Sequence, residues 1–166
     1  MDNMPVYAIF FQSVPECFIF YWLALQLFKI NIKFSRLLCI AIIYGVCSFF
    51  IRGLSISFGV HTILQTLLII LVFVAIMKIS LYQAITVSLF GSLTAITFEI
   101  LFVPILLNIT GLTLINIVHD PILRVVCPLP HMIVALTIVL TLRKNNIYLV
   151  DLSRGDDASP AGGQHH

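Results

Sequence analysis

Five ionisable side chains stand inside or at the rim of long apolar blocks: Glu16, His61, Glu99, Arg124 and His131. A charge at the centre of a bilayer costs at least about 2.5 kcal/mol on insertion scales, so such groups persist when they pair, line a cavity or meet a ligand. The chemistry open to this set is recognition, because two carboxylates, a guanidinium and two imidazoles offer donors and acceptors to a small polar group. Counting about 1.5 Å per helical residue from the block ends brings Glu99 and Arg124 to one level near the outer surface. The same count puts Glu16 and His131 together at roughly 10–15 Å depth. Two pairs are therefore predicted, lining one cavity that opens outward with His61 near its rim. Packing is the competing reading, since intramembrane polar contacts and small-residue faces also fix helix geometry.

Nucleophilic chemistry has weaker support. Cys127 and His131 are four residues apart, the spacing a thiol and a base use on one helix face, but Pro128 and Pro130 intervene and no orienting third group is evident. Gly-x-Ser-x-Gly, His-Glu-x-x-His and Walker A motifs are absent. Cys17, Cys39, Cys47 and Cys127 show no Cys-x-x-Cys spacing, so neither a metal site nor a disulfide framework is expected. The sequence therefore predicts no enzyme, no catalytic residue and no cofactor. Without a basic and aromatic surface it predicts no nucleic-acid partner either.

The elements that must hold these side chains are membrane helices. Of 166 residues 60% are apolar and 10% charged, with mean hydropathy +1.10, whereas a soluble domain carries about 25% charged residues. A first span is expected over residues 6–28, with Pro15 and Glu16 near its middle. Residues 37–51 form a second, short unless 32–35 join it, and residues 58–77 a third. Residues 81–107 form a fourth that contains Glu99 and Pro104. Gly111 should end that helix, and Thr113 should cap a short interfacial helix over 114–118. Asp120 then reads as an N-cap with Pro121 at the first helical position. The fifth span, residues 122–142, should bend at Pro128 and Pro130 and stop at Arg143 and Lys144. Ser88, Gly91, Ser92 and Ala95, like Ala41, Gly45 and Ser48, make small-residue faces suited to close helix contact.

Orientation follows from the basic residues. An inside first loop collects Lys29, Lys33, Arg36, Lys78, Arg143, Lys144 and Arg154 on the inner face and leaves Arg52 and Arg124 outside. The expected fold is thus an all-α membrane protein of five transmembrane helices, N-terminus out and C-terminus in. Residues 1–145 form one multi-pass domain, and Met1 to Pro5 shows no basic region of a cleavable leader. Residues 146–166 read as a flexible cytoplasmic tail whose terminal His165 and His166 suit a natural disordered end and a tag remnant equally.

The residues Phe58-Gly-Val-His61, Lys78-Ile-Ser-Leu-Tyr-Gln83, Glu99 with Phe102-Val-Pro104, Thr110-Gly-Leu-Thr113 and Arg124 to His131 follow one another in an order that resembles a known family. It is that of the membrane sensor regions of Gram-positive histidine kinases of the accessory-gene-regulator type, and similar small stand-alone Firmicutes membrane proteins. The resemblance covers residues 1–145 and implies a bacterial cell-membrane protein that receives an extracellular peptide and signals to a partner. No residue here matches the family's kinase motifs. The expected function is a multi-pass sensor or signalling module that takes an extracellular or lipid-borne signal and acts through partner helices. Its expected partners are membrane lipids and either another protein or a second copy in the membrane. Two other classes compete: a small-solute binding subunit of a transporter, and an intramembrane thiol hydrolase or peptidase using Cys127 and His131.

Overall fold

Local signals decide most of the helix ends. The computed structural model describes residues 12–53, 58–111, 113 and 120–152, and every regular element among them is a helix. These are α1 (Val14–Leu27), α2 (Phe34–Gly53), α3 (Phe58–Met77), α4 (Leu81–Thr110), α5 (Pro121–Val126) and α6 (Leu129–Lys144). The side chains of Arg52, His61 and Arg124 are not among those described.

Pro15, predicted near the middle of a span, stands in the first turn of α1 behind a π-type turn at Gln12 and Ser13. Its ring nitrogen has no hydrogen to give the carbonyl four residues back, which is where the ladder loosens. The upstream part of that predicted span, 6–11, lies outside the described residues. α2 starts at Phe34, three residues before its apolar block, and so gains the length the sequence had left in question. α4 opens on a capping box: Ser80 Oγ accepts from the Gln83 N–H at 3.3 Å, and Gln83 Oε1 accepts from the Ser80 N–H at 3.2 Å. It runs three residues past the predicted end. Gly111, at φ 69°, then turns the chain and donates to the Leu107 carbonyl at 2.9 Å.

Asp120 caps α5 as predicted, its carboxylate accepting from the N–H groups of Ile122 and Leu123 at 2.8 and 3.4 Å. Cys127 and Pro128 keep right-handed helical dihedrals between α5 and α6. The missing N–H groups of Pro128 and Pro130 therefore bend the chain without reversing it. The interfacial helix predicted over 114–118 lies outside the described residues.

α1 is the hub, packing against α2, α4 and α6, while α3 joins α2 to α4. Both small-residue faces lie at contacts. A Cβ added to Gly91 would stand 2.6 Å from the Tyr21 ring, and the Tyr21 hydroxyl meets Ser92 Oγ at 3.1 Å. On α2, Ala41 and Ser48 are buried, and Gln65 of α3 donates to the Ser48 hydroxyl. The perimeter is apolar: Leu67, Leu71, Leu93, Ile100 and Ile133 are all more than half exposed. Two helices, α2 over Phe34–Ile51 and α4, are long and apolar enough to cross a membrane. α1 and the Thr62–Met77 part of α3 are shorter apolar helices.

One end of the bundle gathers the C-termini of α1, α3 and α6. A helix leaves its last four carbonyls without internal partners, and at α1 each acquires one. Leu25 accepts from the Ile30 N–H at 3.0 Å and Gln26 from the Lys29 N–H at 3.2 Å, with Lys29 in the left-handed region at φ 55°. That is a Schellman closure. α6 closes the same way through Asn146, at φ 51°. The chain then doubles back as a strap. The N–H groups of Leu149 and Val150 donate to the Leu27 carbonyl at 2.7 and 3.2 Å, and that of Leu152 donates to the Phe28 carbonyl at 3.2 Å. Gln83 Nε2 of α4 donates to the Leu152 carbonyl at 2.9 Å. Lys29 Nζ meets Asp151 Oδ2 at 2.6 Å, and the charge-assisted bond raises the ammonium's pKa above its ordinary 10.5. Residues 147–152, which the sequence assigns to the tail, are thus docked.

Candidate functional site

After its bend, α6 turns one face inward: His131, Met132, Ala135 and Val139 are all buried, at helical spacing. His131 is 2% exposed. It sits between α1 and α4 among aromatic rings, with Phe20 at 5.9 Å between centroids and Phe102 at 6.3 Å. Phe98 and Phe102, one turn apart on α4, stack with planes 5° apart at 5.8 Å, and Phe98 meets Phe20 edge-on at 5.5 Å. Both ring nitrogens of His131 are buried, and neither has a hydrogen-bond partner among the described residues. A neutral imidazole carries one donor and one acceptor, and each left unpaired inside a protein costs about 1–3 kcal/mol. The arrangement is a buried imidazole packed against aromatic rings.

Neither predicted pair is joined among the described residues. Glu16 is half-buried on α1, one turn before Phe20, but no hydrogen bond or ion pair joins it to His131. Glu16 and Phe20, four residues apart, share a face of α1, and it is Phe20, one turn further along, that stands against His131. Glu99 is exposed on α4. It follows Phe98 by one residue, about 100° of helix rotation, so α4 turns its phenylalanines to His131 and its carboxylate away. The Glu99–Arg124 pair and the position of the His61 side chain lie outside the described residues. The thiol–imidazole arrangement is absent too, because His131 bonds to nothing described while Cys127 lies half-buried at the bend. No three His, Cys, Asp or Glu side chains converge to hold a metal among the described residues.

The residues that sequence reasoning missed are Phe20, Phe98 and Phe102. The signal was present in the i, i+4 spacing of the α4 pair, but apolar side chains in an apolar helix do not stand out by type. Comparison with family models, curated proteins and solved structures finds no match to this chain.

Proposed function

We propose that the protein is a multi-pass sensor of the bacterial cell membrane, with five spans, its N-terminus outside and its C-terminus inside, in which His131 receives the signal. Membrane insertion is supported by the perimeter. Only 28% of the Phe34–Ile51 window and 6% of the α4 window is buried, whereas the core helix of a soluble protein would be mostly covered. Large exposed apolar surfaces require lipid or a partner. Five spans follow if α1, α3 and the bent α5–α6 pair cross alongside α2 and α4. The Schellman ends and strap then collect Lys29, Lys33, Arg36, Lys78, Arg143 and Lys144 on the inner side, in keeping with the positive-inside bias.

The observation that carries the sensing role is the pair of buried nitrogens on His131, which have no partner among the described residues. A small amphiphile with one donor and one acceptor, flanked by apolar bulk for Phe20, Phe98 and Phe102, satisfies both. His131 lies just beyond the Cys127–Pro128 bend, and the far end of α6 continues into the strap held by α1 and α4. A tilt of α6 about the bend therefore reaches the inner surface, where partner helices or a second copy read it.

The single tryptophan offers the test. Trp22 lies under the Arg143 guanidinium, 5.6 Å from ring centroid to Cζ, at the strap end. Adding the lipid-extractable fraction of conditioned medium to the reconstituted protein should shift Trp22 emission, and His131→Leu should abolish the shift. An equal shift in both proteins, or none in either, overturns the sensing role. Topology reporters placed at Gly111 and Asn146 should read outside and inside respectively, and the reverse or a single compartment would overturn the five-span arrangement.

A further inference from the structure

We infer that the inner end of the bundle carries a second binding site, for a phosphate-bearing anion, and that an anionic lipid headgroup is its natural occupant. The inference rests on membrane insertion as proposed above, and not on any signal at His131. A cleft of about 430 Å³ opens between the C-terminal turns of α1 and α6, and its polar lining is Gln26, Lys29, Asn31, Arg143, Asn146 and Tyr148. That set is rich in donors: a guanidinium, an ammonium and three carboxamides, with no carboxylate in the lining. Asp151 engages Lys29 from the strap. The Arg143 guanidinium lies over the Trp22 ring and has no ion pair among the described residues, so its planar fork is oriented and open. Such a fork matches two phosphate oxygens at once.

Lys29 closes α1 in the left-handed region, as Lys78 does after α3 outside the cleft, and the Lys29 ammonium lies 4.5 Å from the ring centroid of Tyr148, which also lines the cleft. Helix C-termini repel anions, so an anion seat there needs the cations that Lys29 and Arg143 supply. The location favours a lipid source. Trp22 and Tyr148 are the aromatic types that settle at headgroup level, and Lys33, Arg36, Lys78 and Lys144 surround the same end.

The test uses the full chain, reconstituted with equimolar phosphatidylglycerol and phosphatidylcholine and released into native mass spectrometry. Wild-type protein should retain phosphatidylglycerol preferentially. Arg143→Gln should lower the ratio of retained phosphatidylglycerol to phosphatidylcholine about tenfold or more, the loss expected for charge-assisted bonds. Asn31→Ala, which changes no charge, should lower it in the same direction. Lys78→Gln removes a cation at the same end but outside the cleft, and should change the ratio by no more than about fivefold, the effect of one basic residue in a general field. Inorganic phosphate at millimolar concentration should displace the retained lipid. Binding of phosphate without any lipid preference would keep the site and assign it to a soluble anion. Equal losses in Arg143→Gln and Lys78→Gln, or no preference and no phosphate binding, overturn the site. If carbonate washing strips the protein from the vesicles, the membrane reading fails, and the phosphate arm still reads the cleft.

Discussion

Replacing His131 by leucine should make the unliganded protein more stable while removing its response. The histidine brings two polar atoms into a space walled by Phe20, Phe98, Phe102 and Met132, and neither nitrogen is paired among the described residues. Removing an unsatisfied buried donor and acceptor recovers about 1–3 kcal/mol each in water-soluble proteins. Two corrections reduce that. Leucine does not reproduce a planar ring, and imperfect repacking takes back up to about 1.5 kcal/mol. In a bilayer the separated helices also lack water for the imidazole, which lowers the difference further. A net gain of about 1–2 kcal/mol remains. Steric-trap or SDS unfolding in bicelles would measure it, with His131→Gln, which keeps a donor and an acceptor, expected near or below wild type. A binding group held ready at the expense of stability is a familiar trade-off. If His131→Leu were destabilised by more than about 1 kcal/mol, the imidazole would be a satisfied structural group, and the argument for a signal seat would collapse.

Gly91→Ala should cost about 1–3 kcal/mol, since its new Cβ would stand 2.6 Å from the Tyr21 ring and force α1 and α4 apart; combining it with Tyr21→Leu should recover much of that loss in the same unfolding assay. Ser80→Ala removes half of the α4 capping box and should cost about 1 kcal/mol, read as faster amide exchange at Gln83. Lys29→Gly relieves a left-handed lysine but deletes the contact to Asp151, an exposed pair of small value. Its unfolding midpoint should therefore stay near wild type while phosphatidylglycerol retention falls, and a large loss of stability would show instead that the ion pair anchors the strap.

Much of the backbone was legible in the sequence. The Asp120–Pro121 start, the Gly111 stop and the bend at Pro128 each depend on one or two residues acting on neighbouring backbone bonds, and all three stand where local chemistry puts them. The small-residue faces were legible too, because only small side chains let a ring such as Tyr21 approach another helix so closely. The all-helical architecture followed from the length of the apolar blocks.

Side-chain pairing was not legible, and the reason is geometric. Counting residues along a helix yields depth, a single coordinate, whereas a contact also needs rotation about the axis, which changes by about 100° at every step. In a water-soluble bundle polar residues mark the outer face and supply that angle; here both faces are apolar, so tertiary packing alone turned Phe102 and not Glu99 toward His131. The strap was hidden for a related reason. Its docking uses backbone N–H groups meeting the unpaired carbonyls of α1, and backbone groups are the same at every residue. Sequence by itself determined the helical class, several of the helix ends and the apolar character of the helices. Only the folded arrangement decided which faces meet, and with that it left a histidine buried among three phenylalanines and gathered donors into a cleft at the opposite end.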